Sequence, residues 1–450
     1  MTALTLFFKE CKTIAKSIIY LVFICAMILF YVSQIGSYAE GDIKQYHTNE
    51  EYYSGSLLQN KFIKPELGAE SYGQKYVEIP EQIMTTIISS LLRDYAINNY
   101  DIYPFGLIGR QATMRESKQE EVAQIITDIT GVSIENFHEL LDAVTEKRRE
   151  FYENNDVYIA GMIDFSDAIP IIITYDEFKV KMKQLDKILG GNYGESSYQS
   201  RSYVPLTYEE ALAEYNEFME YDKITGAYAR LFCDYMGIVA ALFSVFVPVA
   251  FLIRDKRAKV NELIFSRRIS NVKFILARYF AIVLMMFIPF ILLSLFPTLQ
   301  LTKFAVKNNM PVDIFAFVKY VTAWILPTLM TTTAVAFIIT TITDNPLAIA
   351  VQFIWSFLSV SVGAFAANAG STGSLIYYGG MNLLIRHNSL GHLQYYRDNI
   401  TQIAVNRIFY AVLSLVLVAL TIFIYGQKRR GEVDVRGNLR KIFRNRKSTG

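Results

Sequence analysis

The chain has 450 residues, of which 52% are hydrophobic and only 19% charged, against about 25% charged in an ordinary soluble domain, so a purely soluble globular protein is excluded. The net charge of +2 conceals a division: residues 39–227 carry 17 Lys+Arg against 33 Asp+Glu, and the remainder has a net charge of +18. That split suggests two compartments rather than a nucleic-acid binder. Cys11, Cys25 and Cys233 all lie in or beside apolar segments, so the acidic block folds without disulfides, and it is long enough to bury its own core.

In residues 2–16, Leu4, Phe7, Phe8, Cys11, Ile14 and Ala15 recur at helical spacing, with Lys9, Lys12 and Lys16 off that stripe. This predicts an amphipathic helix lying along a membrane interface. Ile18 to about Gly36 is the first of six runs apolar and long enough to cross a bilayer, which takes roughly 20 residues. No A-x-A site follows it, so it reads as a retained span rather than a cleaved signal peptide.

In the acidic block, Pro80 opens an apolar-rich run through Ile97, and Ser133 is placed to cap a helix carrying Ile134, Phe137, Leu140, Leu141 and Val144. Thr174 with Glu177, closed by Gly190, and Thr207 with Glu210, running to about Ile224, have capping-box spacing. The isoleucine-rich Val157–Thr174 stretch is either strand or buried connection, and Gly190–Tyr203 reads as a loop. The remaining spans are Tyr235–Ile253, with a polar lead-in at Arg230 and Asp234, Phe274–Phe296, about Ile314–Ile342, Leu347–Ala366 and about Ala404–Tyr425. The expected fold is an α-helical membrane protein: six transmembrane helices, with a mainly helical extracellular domain inserted between helices 1 and 2. Residues 1–38 form the interfacial helix and first span, 39–227 the extracellular domain, 228–426 the other spans, and 427–450 a basic tail.

Within the spans, Arg230 and Asp234 are four apart and spaced to pair. Lys319 and Arg407, near span ends, are accounted for by snorkelling. Pro289, Pro297 and Pro327 can kink their helices, and Asp344-Asn345-Pro346 makes a tight turn.

Orientation follows from Lys and Arg in short loops. The two termini and the loop after span two hold 19 basic residues, and the opposite short loops only Lys303, Lys307, Arg386 and Arg397. Both termini are therefore expected in the cytoplasm of a multi-pass plasma-membrane protein, with the tail attracted to the inner leaflet of the lipid bilayer.

His47, His138, His387 and His392 are scattered, with no metal-ligand cluster. No G-x-x-x-x-G-K-[ST] phosphate loop, G-x-S-x-G or H-E-x-x-H element occurs. No catalytic residue, metal or bound cofactor is expected.

Between spans two and three, Val260, Leu263 and Ile264 recur at helical spacing among charges, predicting a short amphipathic helix over 254–270. Glu262-Leu263, Ser266, Ile269-Ser270 and then Arg278 resemble the coupling-helix region of ABC-2 type transporter permeases. The Phe8-Lys9-Glu10-Cys11-Lys12 stretch and the span layout, with a large external domain after span one, are also similar to Gram-positive members. The resemblance implies a permease that exports an amphiphilic substrate (peptide, lipid or drug). It pairs with a second permease, identical or related, and is driven by a cytosolic ATPase subunit that binds ATP and Mg. Coupling to the ATPase would fall to Asp255, Lys256, Arg257, Glu262, Leu263, Ser266, Arg267, Arg268 and Ser270. The Gly-rich stretch Ala367–Gln402 would fold into short segments dipping into the outer leaflet. An exit gate there would be formed at Tyr377, Tyr378, Arg386 and His387, and a plain external loop is the alternative. Two other functions stay open: ATPase-coupled signal or force transmission, and a membrane receptor or scaffold.

Overall fold

The computed structural model describes residues 2–36, 39–41, 43, 63–69, 72, 74–102, 110–154, 163–193, 202–257, 269–368, 382–384 and 393–430. These fall into two compact units, one within Met1–Ile63, Tyr215–Val360 and Leu375–Gly450, the other within Lys64–Glu214 and Ser361–Ser374.

The chain opens with α1 (Ala3–Ala15) and α2 (Ile18–Gln34). Thr2 Oγ1 accepts from the Thr5 N–H, and Ser17 Oγ from the Tyr20 N–H, so each helix has a side-chain N-cap. On α1, Leu6, Glu10 and Ile14 are buried, one stripe at four-residue intervals; of the apolar residues that the sequence spacing marks only Ile14 lies on it, while Leu4 and Phe8 face outward.

The second unit is helical with two small antiparallel ribbons. Its helices are α3 (Pro80–Ala96), α4 (Glu116–Thr130), α5 (Phe137–Asn154) and α6 (Tyr175–Leu189), and α7 (Tyr208–Glu217) follows at the unit's edge. Strand β1 (Gln74–Tyr76) pairs with β4 (Tyr203–Pro205), and β2 (Tyr100–Ile102) with β3 (Arg110–Ala112). Ile83, Ile87 and Leu91 of α3, Val122, Ile126 and Ile129 of α4, Val144 of α5, and Phe178, Met182 and Leu185 of α6 share one core. Burying each such side chain contributes about 1.5–3 kcal/mol before entropy. The capping box at Thr174 and Glu177 forms, and Gly190 ends α6 at φ 77°. At the second box, Thr207 Oγ1 accepts from the Glu210 N–H and Glu210 from the Thr207 N–H. Ser133 instead precedes a single 3₁₀ turn (Ile134–Asn136) and makes no side-chain cap. The described part of the isoleucine-rich stretch is a connection that buries Ile163, Phe165 and Ile169.

The chain then enters the first unit's long helices. These are α8 (Thr225–Leu242), α9 (Phe246–Arg257), α10 (Asn271–Lys307), α11 (Ala316–Thr343, with a π turn at Val321–Ile325), α12 (Leu347–Asn368), α13 (Leu393–Asp398) and α14 (Ile400–Arg430). Five described segments are long and apolar enough to cross a membrane: Ile18–Gly41, Thr225–Arg254, Asn271–Lys307, Ala316–Thr343 and Ile400–Arg430. Apolar side chains such as Leu21, Leu29 and Val32 of α2, Leu292, Phe296 and Leu299 of α10, and Val405, Ile408 and Phe423 of α14 face outward. A soluble protein does not cover itself this way, and this is a multi-pass α-helical membrane protein. The predicted fifth span coincides with α12, which is 22 residues long. Pro289 and Pro297 lie inside a continuous α10. At Pro327 the missing N–H is accommodated by the preceding π turn.

Candidate functional site

Charged side chains inside an apolar helix bundle need partners and mark functional sites. Among the described residues of the first unit, three sets of them contain buried members.

The first gathers where α8, α11 and α14 begin. Arg230 is wholly buried, and both its terminal nitrogens donate to the carboxylate of Asp222, one of them at 2.7 Å. The pairing with Asp234 expected from sequence is replaced by this one. The chain turns back at Lys223 and Ile224, both at positive φ, and so folds Asp222 against the face of α8 that carries Arg230. Gly226 makes room: a Cβ there would lie 2.9 Å from Asp222 Oδ1. The guanidinium sits 4.9 Å from the Tyr396 ring centre, and Tyr396 stacks on Trp324 and packs against Tyr320.

The same aromatic group leads to the second set. Arg407 is buried and does not snorkel to a surface. Its Nη1 donates to Thr328 Oγ1 at 3.0 Å and to the Trp324 carbonyl at 3.3 Å. Its Nη2 donates to the Leu383 carbonyl at 2.9 Å, and its Nε to Asn406 Oδ1 at 3.0 Å. Among the described residues every acceptor is a neutral oxygen, so oriented dipoles carry the charge. Sequence reasoning missed this because two of the acceptors are backbone carbonyls of distant segments.

Those bonds fix the described residues Asn382–Leu384, which are not helical. The Asn382 carbonyl accepts from Asn406 Nδ2 at 3.1 Å, and the Leu383 N–H donates to Ser359 Oγ at 3.3 Å. Leu383 and Leu384 are buried against Ala241 of α8 and Tyr410 of α14. A Cβ on Gly237 would lie 3.5 Å from Leu384. Non-helical backbone within an apolar helix bundle survives only where protein surrounds it and satisfies its polar groups, as Arg407, Asn406 and Ser359 do here. Lys319, by contrast, is exposed and pairs with Asp313 at 2.7 Å. Burial opposes ionisation of Asp313, but Lys319 and the Phe315 N–H hold its carboxyl below the usual range.

The third set lies where α10 begins and α14 ends. Arg278 donates to Glu10 at 3.0 Å, both side chains largely buried, and this fastens α1 to α10. Arg429 donates to the Ile269 carbonyl at 2.7 Å and to Asn271 Oδ1 at 2.9 Å, and Tyr425 stacks on Phe274. Lys428 pairs with Asp344 at 3.1 Å in the tight turn before α12, where Asp344 adopts φ 55°.

Of the sequence-predicted coupling residues, Asp255, Lys256 and Arg257 lie in the last turn of α9, and Ser270 holds the N-cap position of α10 without a side-chain bond. Glu262, Leu263, Ser266, Arg267 and Arg268, and the gate residues Tyr377, Tyr378, Arg386 and His387, lie outside the described residues. Among the described residues no group of three or more His, Cys, Asp or Glu is placed to hold a metal. No family model, curated protein or solved structure matches the chain.

Proposed function

We propose that this chain is the membrane-spanning permease of an ATP-driven exporter, of the ABC-2 kind that its 254–270 segment resembles, with the ATPase on a separate cytosolic chain. The observation that carries the reading furthest is the Asn382–Leu384 stretch. Irregular backbone held deep among helices by a buried arginine and asparagine is how a membrane protein builds a gate or substrate path. Support also comes from the opposite ends of the helices, where the segment expected to couple emerges between α9 and α10. Its exit is fastened to α14 by Arg429, and α10 to α1 by Arg278 and Glu10.

In this reading both termini and the coupling segment are cytoplasmic, and residues 39–227 are extracellular. α12 completes the six spans, as the fifth in chain order. Closure of an ATP-loaded ATPase dimer pushes the coupling segments of two permeases, and an amphiphilic substrate leaves between them. Solubilising a C-terminally tagged chain from its native host and identifying what co-purifies tests this. A stoichiometric soluble ATPase is expected. A preparation without one, after crosslinking in cells, would overturn the proposal in favour of a receptor or scaffold.

A further inference from the structure

The span Thr225–Arg254 is not one regular helix. Between α8 and α9, residues 243–245 form a turn, crossed by the Phe246 N–H to the Phe243 carbonyl at 3.4 Å and the Val247 N–H to the Ser244 carbonyl at 3.3 Å. Pro248 explains the break. It has no N–H for the Ser244 carbonyl, and its ring crowds that carbonyl. Side chains take over the carbonyls that a continuous helix would occupy. Ser244 Oγ donates back to the Ala240 carbonyl. The Ala241 carbonyl accepts from Gln352 Nε2 at 3.1 Å and Ser356 Oγ at 3.3 Å, both from α12, and Gln352 Nε2 also donates to Ser356 Oγ at 3.2 Å.

Gln352 and Ser356 are fully buried, and Ser359, on the same face of α12 one turn further on, is nearly so. It is Ser359 Oγ that accepts the Leu383 N–H. One polar face of one helix therefore joins the break in the second span to the deep irregular stretch. Gln352 Oε1 is buried with no hydrogen-bond partner among the described residues, which leaves this latch weaker than a fully satisfied one.

We propose that residues 243–245 are a hinge, latched by Gln352 and Ser356, and that the Gln352–Ser356–Ser359 face transmits its bending to Asn382–Leu384. When α9 swings about the hinge, the Ala241 carbonyl parts from α12, α12 shifts, and the support of the Leu383 N–H is withdrawn. The use of this linkage, carrying force from the segment after α9 to a gate, rests on the proposed permease function. The linkage itself does not.

Amide exchange on the full-length chain in lipid nanodiscs tests it without ATPase or substrate, so failure here and failure to find an ATPase are separable. Gln352→Leu is expected to raise exchange about fivefold, the effect of one lost buried hydrogen bond, in peptides covering both 243–249 and 382–384. Ser356→Ala, a milder change that guards against misfolding, should move both in the same direction. Pro248→Ala lets α8 and α9 join, and in that background Gln352→Leu should change exchange less than twofold. A change confined to 243–249, or an equal effect of Gln352→Leu with and without Pro248, would overturn the proposal.

Discussion

Arg230 and Asp222 form a two-pronged ion pair with both side chains buried, across a connector whose Lys223 and Ile224 adopt positive φ. The pair fixes the start of the second span. Removing one partner of such a pair leaves an uncompensated buried charge, worth about 3–5 kcal/mol, whereas replacing both by apolar groups of similar size is often neutral. Asp222→Leu and Arg230→Met should each lower the melting temperature in detergent strongly, and the double variant should recover most of the loss. Additive losses would mean that the two do not act as a pair.

The connector makes a second prediction. Lys223 is exposed and left-handed at φ 48°, where glycine avoids the Cβ clash. Lys223→Gly should stabilise by about 0.5–1 kcal/mol. Gly226→Ala should destabilise, because its Cβ would displace the Asp222 carboxylate. Thermal unfolding of the two variants beside the parent decides the signs.

Arg407 and the Leu383 carbonyl supply a third. If Arg407 holds the deep stretch in place, a cysteine at 383 in a background lacking Cys11, Cys25 and Cys233 should react slowly with a membrane-permeant maleimide. Adding Arg407→Met should raise that rate about tenfold or more, the equivalent of ~1.4 kcal/mol, within the range for one hydrogen bond to a charged group. An unchanged rate would show that packing of Leu383 and Leu384 suffices without the arginine.

Acid sensitivity of the second unit is the fourth. Lys181 and Gln124 hold the Asp128 carboxyl below its usual range, and Thr174 does the same for Glu177. A carboxylate depressed in the folded state contributes stability above its unfolded pKa and loses it as pH falls through the folded value. Protection of α4 and α6 should therefore hold down to about pH 4 and decline below it. Asp128→Asn should flatten that decline. Pulse-labelled amide exchange at fixed pH after equilibration reads it out.

The spans were legible because long apolar runs have few alternatives, and α3, α6 and α7 because Pro80 and two capping boxes announce them. Helix α4 was missed: it follows Arg115, which makes no side-chain cap, and only Gly131 signals its end. The second span begins ten residues before its apolar run, because Arg230 is neutralised by a residue that only the positive-φ connector brings near. Pro248 was in plain view, yet its effect depends on Gln352 and Ser356, which stand a hundred residues later as ordinary polar interruptions of an apolar run. Their spacing, four residues from Gln352 to Ser356 and three more to Ser359, was the available signal. Arg407 could not be read at all, since its acceptors include carbonyls that sequence does not distinguish from any others.

In the proposed function a soluble ATPase grips the segment between α9 and α10. A photo-crosslinking residue placed at Glu262 in living cells tests this most directly. One dominant adduct is expected, with a soluble chain carrying a G-x-x-x-x-G-K-[ST] phosphate loop. Adducts with lipid alone, or with a protein lacking that loop, would contradict it.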